Sequence, residues 1–273
     1  MEKLIQLNNG KNLYVKDIPG ENGTVIFVHG LTGNHKQLSY FQDALKSYRT
    51  IAYDLRGRGL SDQASDDSSI DRHVEDLLSL IETLNIENPI LVGYSMGAFI
   101  CLKVASLIEQ PKALILIDGA GETDEGQKDL ILPSLNRLRK NYTSKEDYVE
   151  QTRTGYNKLG IQWDERMTEI AHYEITEKDG TWVHRSDAEI MEKDFLSFYD
   201  FEHEIYTNKI NIPVLLIAAT GHMGSRPLFY ESSYDKLKQL LPQLKVVKTD
   251  ENHLTLVFNR QERLEQEIIS FLT

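Results

Sequence analysis

A serine lies between two glycines in the stretch ILVGYSMGAFICLKVA, where Ser95 follows an apolar run and precedes a helix-like one. Gly93 and Gly97 are small enough to permit a sharp turn that would hold the serine hydroxyl above the end of a strand. The first amides of the following helix would point N–H groups and a partial positive charge at an oxyanion formed beside that hydroxyl. The pattern therefore predicts that Ser95 is a nucleophile.

A serine nucleophile needs a general base and oxyanion donors. The stretch FVHGLTG (27–33) predicts a tight loop, in which the backbone N–H of Leu31 can join that of Met96 in an oxyanion hole. His253, in DENHLTLVF after the last strand-like run, is the predicted base. His29 lies in the loop itself, and we expect it to brace the loop rather than to accept the proton.

Six apolar, β-branched runs must supply the elements that position these residues. They are TVIFVHG (24–30), RTIAYDLRG (49–57), PILVGYS (89–95), ALILIDG (113–119), IPVLLIAAT (212–220) and LKVVKTD (244–250). Short continuous runs are typical of strands buried on both faces of a parallel sheet. Helical spacing of apolar residues predicts helices at 73–84 and 260–272. The opening segment alternates around Asn9-Gly10, which predicts an antiparallel hairpin.

One long interval, between Gly119 and Ile212, lacks a strong strand run. Its segments DLILPSLNRLRK, KEDYVEQTRTGYNKLG and DAEIMEKDFLSFYDF have helical periodicity. We therefore predict an inserted helical cap at 122–207, between two parts of one core domain at 1–121 and 208–273. The cap is rich in aromatic residues, and some of its surface is expected to line a pocket.

The composition limits the partners. The chain has 273 residues and a formal charge of −12, which gives no electrostatic reason to approach nucleic acid or an anionic membrane. The single cysteine, Cys101, cannot form an internal disulfide, and neither a signal-like segment nor a long apolar run is present. We therefore expect a cytoplasmic monomer or homodimer that acts on a small molecule.

Four motifs together resemble a known family. The elbow GYSMG, the HGLTG loop, the YDLRGRGLSD turn (53–62) and the late NHLTLVF segment occur in the order found in α/β-hydrolases. The sequence resembles in particular their capped subgroup, which has lipase, esterase, lactonase and C–C-bond hydrolase members. Over nearly the whole chain, the resemblance implies a mostly parallel eight-stranded sheet flanked by helices, with an inserted helical cap. It also implies that 53–62 is a structural turn.

The chain departs from the family at the acid that orients the base. That acid usually follows the next-to-last strand in a G-x-x-D pattern, whereas IPVLLIAATGHMGSRP places His222 there. In some members of the fold, the acid instead follows the strand that comes directly after the nucleophile's strand. In this chain, Asp118 stands at the end of that strand. We therefore predict Asp118 as the acid. The weaker alternatives are Glu122, Glu231 and Asp250.

The predicted function is that of a serine hydrolase with a Ser95, His253 and Asp118 triad. It would cleave a carboxylic ester or lactone of a small to mid-sized apolar substrate through an acyl-enzyme, with no metal or organic cofactor. The candidate pocket residues are His29, Gly30, Tyr94, Trp163 and His222.

Several other functions stay open at this point. Epoxide hydrolases and haloalkane dehalogenases of this fold are excluded, because they need an aspartate where Ser95 stands. A C–C-bond hydrolase, a thioesterase and an aminopeptidase use the same triad, and the cap rather than the triad sets the substrate. A ligand sensor with little turnover is the alternative outside the enzymes.

Overall fold

The computed structural model describes residues 1–273, which form one eight-stranded sheet, one three-stranded sheet and the surrounding helices. The strands are β1 Glu2–Gln6, β2 Asn12–Ile18, β3 Thr24–Val28, β4 Arg49–Tyr53, β5 Ile90–Tyr94, β6 Ala113–Ile117, β7 Asn141–Tyr142, β8 Ile175–Lys178, β9 Thr181–His184, β10 Val214–Gly221 and β11 Leu244–Asn252. The α-helices are α1 Ser39–Ala44, α2 Ile70–Thr83, α3 Met96–Leu107, α4 Gly126–Ser134, α5 Lys145–Lys158, α6 Glu165–Glu174, α7 Ala188–Leu196, α8 His203–Thr207, α9 Asp235–Leu240, α10 Thr255–Phe258 and α11 Glu262–Leu272. Short 3-10 helices lie at Leu135–Arg139, Ser197–Asp200 and Glu231–Tyr234. None of the helices combines the length and the hydropathy needed to span a bilayer.

The strands of the large sheet follow the order β1-β2-β4-β3-β5-β6-β10-β11. The pairs β1–β2 and β2–β4 are antiparallel, and every pair from β4 to β11 is parallel. The first hairpin turns at Asn9-Gly10, where Gly10 has a φ of +81°. These pairings confirm the prediction of a mostly parallel sheet with an antiparallel start.

The register of the central strands brings the predicted site residues to one edge. Val28 at the end of β3 pairs with Gly93 of β5, and Tyr94 at the end of β5 pairs with Ile117 of β6. Because parallel strands end on the same side of a sheet, the loops after β3, β5 and β6 meet there. The end of β11, which pairs in parallel with β10, reaches the same edge.

The sheet separates two apolar cores, since successive strand side chains point to opposite faces. In β3, Ile26 and Val28 join the core under α2 and α3, whereas Val25 and Phe27 join the core under α1 and α11. All residues of β5 and β6 are buried, as predicted. The prediction that the run at 244–250 is buried on both faces is wrong, because β11 is an edge strand whose exposed and buried residues alternate.

The segment between β6 and β10 interrupts the sheet with helices α4 to α8 and a small antiparallel sheet, β7-β9-β8. Helices α4, α5 and α7 lie where helices are predicted. The small sheet is not predicted, although its hairpin turns at Asp179-Gly180, a dipeptide that strongly favours such turns. The proposed cap boundaries at 122 and 207 stay a prediction.

Candidate active site

Ser95 occupies a strained turn between β5 and α3. Its φ is +54°, a region that residues with a side chain rarely adopt. A Cβ atom at Gly93 would lie 2.1 Å from the carbonyl oxygen of Gly97, and one at Gly97 would lie 2.1 Å from that of Val28. Both flanking positions therefore require glycine, which is the steric reason for the motif.

Ser95, His253 and Asp118 form a continuous hydrogen-bonded series. Nε2 of His253 lies 3.0 Å from Oγ of Ser95, and Nδ1 of His253 lies 2.7 Å from Oδ2 of Asp118. All three side chains are buried. Because the carboxylate accepts a hydrogen bond, the proton of the neutral imidazole is held on Nδ1, and the lone pair of Nε2 faces the serine hydroxyl.

Asp118 is itself held by two further donors. The backbone N–H of Ala219 in β10 and the hydroxyl of Tyr234 both donate to Oδ1, at 3.0 Å and 2.9 Å. Oδ2 is thereby left to face His253. The contribution of Tyr234 is not predicted from the sequence, since 116 residues separate it from Asp118.

The other carboxylates considered for this position lie elsewhere. Glu122 and Glu231 form exposed ion pairs with Lys236 and Lys248. Asp250 is exposed on the edge strand β11. None of the three alternatives contacts His253.

Tyr94 fixes the other side of His253. Its hydroxyl donates to the backbone carbonyl of His253 at 2.8 Å, and the two rings stack with centroids 4.8 Å apart. The residue before the serine therefore positions the loop that carries the histidine.

The loop after β3 carries a backbone amide that has no partner. The N–H of Leu31 donates to no other group of the protein. Met96 is the first residue of α3, so its N–H lacks an intrahelical partner. Behind the loop, the buried guanidinium of Arg58 donates to the carbonyl oxygen of Leu31 at 3.0 Å and pairs with Asp194 at 2.7 Å.

His29 braces the same loop. One ring nitrogen donates to the carbonyl oxygen of Gly30 at 2.7 Å, and the other accepts the N–H of Leu55 at 3.0 Å. Burial lowers the pKa of His29 to about 3, so the ring is neutral at ordinary pH. Its side chain is turned away from the cavity described next.

A cavity of about 410 Å³ lies beside Ser95 and His253. The core contributes Gly30, Leu31 and Tyr94 to its wall, and two of these, Gly30 and Tyr94, are among the predicted pocket residues. The inserted segment contributes mainly apolar side chains, among them Leu130, Ile131, Leu135, Tyr156 and Leu159. The polar side chains of the wall outside the hydrogen-bonded series include Thr32, Gln37, Ser134 and Arg137.

Three pocket candidates lie outside this wall, which corrects their predicted place. His29 is turned toward Leu55. Trp163 packs beside Tyr156, and its ring N–H donates to Thr168. His222 is exposed just after β10, where Met223 and Gly224 line the cavity instead.

Metal-binding groups are not part of this arrangement. The chain contains no group of three or more His, Cys, Asp or Glu side chains placed to hold a metal ion. The arrangement of hydroxyl, imidazole and carboxylate is instead suited to nucleophilic attack by the serine.

The fold and this geometry define an α/β scaffold with a serine on the sharp turn between a central strand and the following helix. The chain belongs to the alpha/beta hydrolase fold family, whose model matches residues 23–259. The resemblance inferred from the motifs is thus confirmed at the level of the family.

Individual relatives match shorter stretches. The AB hydrolase superfamily protein YisY of Bacillus subtilis is 37% identical over 105 residues, which are 38% of this chain and 39% of that protein. Epoxide hydrolase 2 of Caenorhabditis elegans is 32% identical over 111 residues, which are 38% of this chain and 30% of that protein. The matches therefore span only 39% and 30% of these relatives' own lengths.

The likeness to solved structures extends over the whole chain. The crystal structure of E-2-(acetamidomethylene)succinate hydrolase superposes with a TM-score of 0.88 at 20% identity, covering 100% of this chain and 98% of that one. At this identity the likeness shows the fold alone.

Proposed function

We propose that the protein is a serine hydrolase that cleaves a carboxylic ester or lactone through an acyl-enzyme on Ser95. The observation that carries this proposal is the series of contacts from Ser95 through His253 to Asp118 beside a largely apolar cavity. A strained serine and a correctly oriented imidazole are two of the parts that acyl transfer requires, and we propose that the free amides of Leu31 and Met96 supply the third, an oxyanion hole.

In the proposed mechanism, Nε2 of His253 accepts the proton of Ser95 as Oγ attacks the acyl carbonyl. The N–H groups of Leu31 and Met96 stabilise the oxyanion that forms. His253 then gives its proton to the leaving alcohol, and a water molecule hydrolyses the acyl-enzyme by the same path in reverse. Asp118 keeps the proton of the neutral ring on Nδ1 and stabilises the imidazolium.

The inserted segment acts in this proposal as a cap that sets substrate choice. It supplies much of the apolar wall of the cavity, and a volume of about 410 Å³ suits a small to mid-sized acyl or alkyl group. A thioester would fit the same chemistry, as would the C–C and amide bonds cleaved by other triad enzymes. The similar hydrolase structure is named for a substituted succinate, which describes that protein's substrate.

Two other functions are less compatible with the site. One relative is named an epoxide hydrolase. The serine at the elbow cannot form the alkyl-ester intermediate that aspartate nucleophiles of this fold form. A ligand sensor needs a pocket but has no physical need for a histidine aligned with both Ser95 and Asp118.

Fluorophosphonate labelling tests the proposal directly, because only an activated serine reacts quickly with this probe. We expect stoichiometric labelling at Ser95 near neutral pH, read by intact-protein and peptide mass spectrometry. Ser95→Ala should lose both labelling and the turnover of 4-nitrophenyl acetate. A folded protein that is not labelled, or an Ala variant that keeps its turnover, would refute the proposal.

A further inference from the structure

An arginine lies in the wall of the cavity that contains Ser95. Arg137 belongs to the 3-10 helix Leu135–Arg139 of the inserted segment. Its guanidinium bonds to two uncharged hydroxyl groups, those of Thr32 at 3.1 Å and Tyr148 at 3.4 Å. No carboxylate of the chain forms a salt bridge with it.

Arg137 is partly buried, and its lack of an anionic partner sets it apart from the two buried arginines of the protein. Arg56 pairs with Asp76, and Arg58 pairs with Asp194. A cation in a largely apolar wall is costly unless an anion or a set of hydrogen bonds compensates it. The guanidinium has five N–H groups, so two hydrogen bonds leave donors available for a ligand.

Glu174, whose charge acts on Arg137, is committed to other contacts. Its carboxyl group accepts a short hydrogen bond from Tyr148 and lies 3.9 Å from His184. Burial raises the pKa of Glu174, although Arg137 and the Tyr148 hydrogen bond oppose this effect. Glu174 therefore orients Tyr148 and only partly offsets the positive charge.

The position of Arg137 suits a group attached to a reacting substrate. Tyr142 donates to the carbonyl oxygen of Arg137 at 3.1 Å, which holds its backbone. Thr32, which accepts from its guanidinium, directly follows Leu31 in the predicted oxyanion loop. The other side chains that line the cavity are mainly apolar, among them Leu130, Leu135 and Leu254.

We propose that Arg137 is a substrate-binding residue that pairs with an ionised carboxylate, so that the substrate is an ester or thioester of an acid with a second, free carboxylate. An apolar stretch would join the two ends. The guanidinium can bind a carboxylate with two parallel hydrogen bonds. The net charge of −12 would repel such a substrate at long range, so the attraction must come from this local cation. The inference rests on the proposed function of the site and replaces a purely apolar substrate with an amphipathic one.

A pair of activated esters with the same shape tests this proposal. 4-Nitrophenyl hydrogen adipate carries a terminal carboxylate, and 4-nitrophenyl 6-methylheptanoate carries an uncharged isopropyl group in its place. The protein should have the higher kcat/KM for the adipate. Arg137→Gln should lower kcat/KM for the adipate by about 10- to 100-fold, the range for a lost hydrogen bond to a charged group. The change should appear mainly in KM, because the carboxylate is bound equally in the ground state and the transition state.

The same helix offers a matched control. Arg139 is exposed, hydrogen-bonds to Asn136 and lies 3.7 Å from Glu192. Arg139→Gln removes the same charge from the chain and should leave both esters unaffected. Thermal unfolding of both variants reports whether the fold is retained, and Arg137→Lys, which keeps the charge without the planar fork, should restore part of the loss.

The outcomes separate this inference from the proposed function. Normal labelling of Ser95 in Arg137→Gln, with selective loss of adipate turnover, supports both. An equal loss for the two esters, or no preference for adipate in the unaltered protein, overturns the role of Arg137 and leaves the hydrolase proposal standing. If Ser95 is not labelled, calorimetry with free adipate decides: binding that Arg137→Gln abolishes supports the anion site, and no binding overturns it.

Discussion

Replacing Asp118 by asparagine isolates the role of one oxygen atom. In the unaltered protein, Oδ1 accepts hydrogen bonds from Ala219 and Tyr234, and Oδ2 faces Nδ1 of His253. The asparagine side chain has the same shape but carries one oxygen and one NH₂ group. Because Ala219 supplies a fixed N–H donor, the amide oxygen should stay at the Oδ1 position and the NH₂ group should face His253.

That orientation reverses the tautomer of the histidine. An NH₂ group cannot accept the proton on Nδ1, so the neutral ring would carry its proton on Nε2 instead. Nε2 would then donate toward Oγ of Ser95 at 3.0 Å rather than accept its proton. The geometry would be intact, while the general base would be lost.

The expected size of the effect is a loss of about 10⁴-fold in kcat, as for such a change in a serine triad. This corresponds to about 5.5 kcal/mol of transition-state stabilisation. The assay is steady-state turnover of 4-nitrophenyl acetate, with the rate of fluorophosphonate labelling as a second measure. Thermal unfolding checks that the variant is folded.

Asp250→Asn is the matched control. Asp250 is only three residues from His253 in sequence, yet it is exposed, and the ring nitrogens bond to Asp118 and Ser95 instead. We expect its variant to keep full activity. Near-normal turnover in Asp118→Asn, together with inactivity of a variant at Asp250, would show that the geometric reasoning is wrong.

Three smaller perturbations follow from the same contacts. Tyr234→Phe removes one donor to Asp118 and should lower kcat by about 2- to 10-fold, the effect of one hydrogen bond, as measured by ester turnover. Arg58→Met removes the guanidinium from the buried Asp194, which keeps only its contacts with Ser68 and His73, and should lower the free energy of unfolding by about 3–5 kcal/mol in urea titrations. Burial lowers the pKa of His29 from 6.5 to about 3, so between these pH values the unfolded chain binds a proton that the folded protein does not. The free energy of unfolding should therefore fall as the pH drops through this window, by up to about 1.4 kcal/mol per pH unit. The His29→Gln variant should lack this contribution to the pH dependence.

Each of these expectations has an internal comparison. Arg72 pairs with Asp67 at 2.7 Å on the surface, so Arg72→Met should cost less than about 1 kcal/mol. If this variant and Arg58→Met lose the same free energy of unfolding, the greater cost expected for breaking a buried ion pair is wrong. If the free energy of unfolding of His29→Gln depends on pH as in the unaltered protein, that dependence comes from other groups. If Tyr234→Phe keeps its full kcat, Ala219 alone orients Asp118.

The features that sequence predicts best are those set by local sterics and periodicity. Gly93 and Gly97 are needed because no Cβ atom fits there, so the elbow can be recognised from a few adjacent residues. The buried strands are recognisable because a strand covered on both faces must be apolar throughout. The Asn9-Gly10 hairpin follows from the positive φ that its turn requires.

The tertiary structure alone decides which distant side chains meet. Asp118 and His253 are 135 residues apart, and their contact depends on the strand order β6-β10-β11. The same order leaves Glu231 and Asp250 away from the ring. Sequence could rank these carboxylates only by resemblance, because no local pattern encodes the direction in which a side chain leaves the end of a strand.

The cavity also has features that the sequence cannot distinguish and the tertiary structure does. The basic stretch NRLRK contains Arg137 and Arg139 with nothing to distinguish them. The packing of one short 3-10 helix against Thr32 places the first arginine in the wall of the cavity and leaves the second exposed. The sequence by itself determined the sharp turn that holds Ser95 and the sheet beneath it, since these depend on neighbouring residues. Only the folded chain decided which carboxylate meets His253 and which charged side chain lines the cavity, because both depend on how separate elements pack.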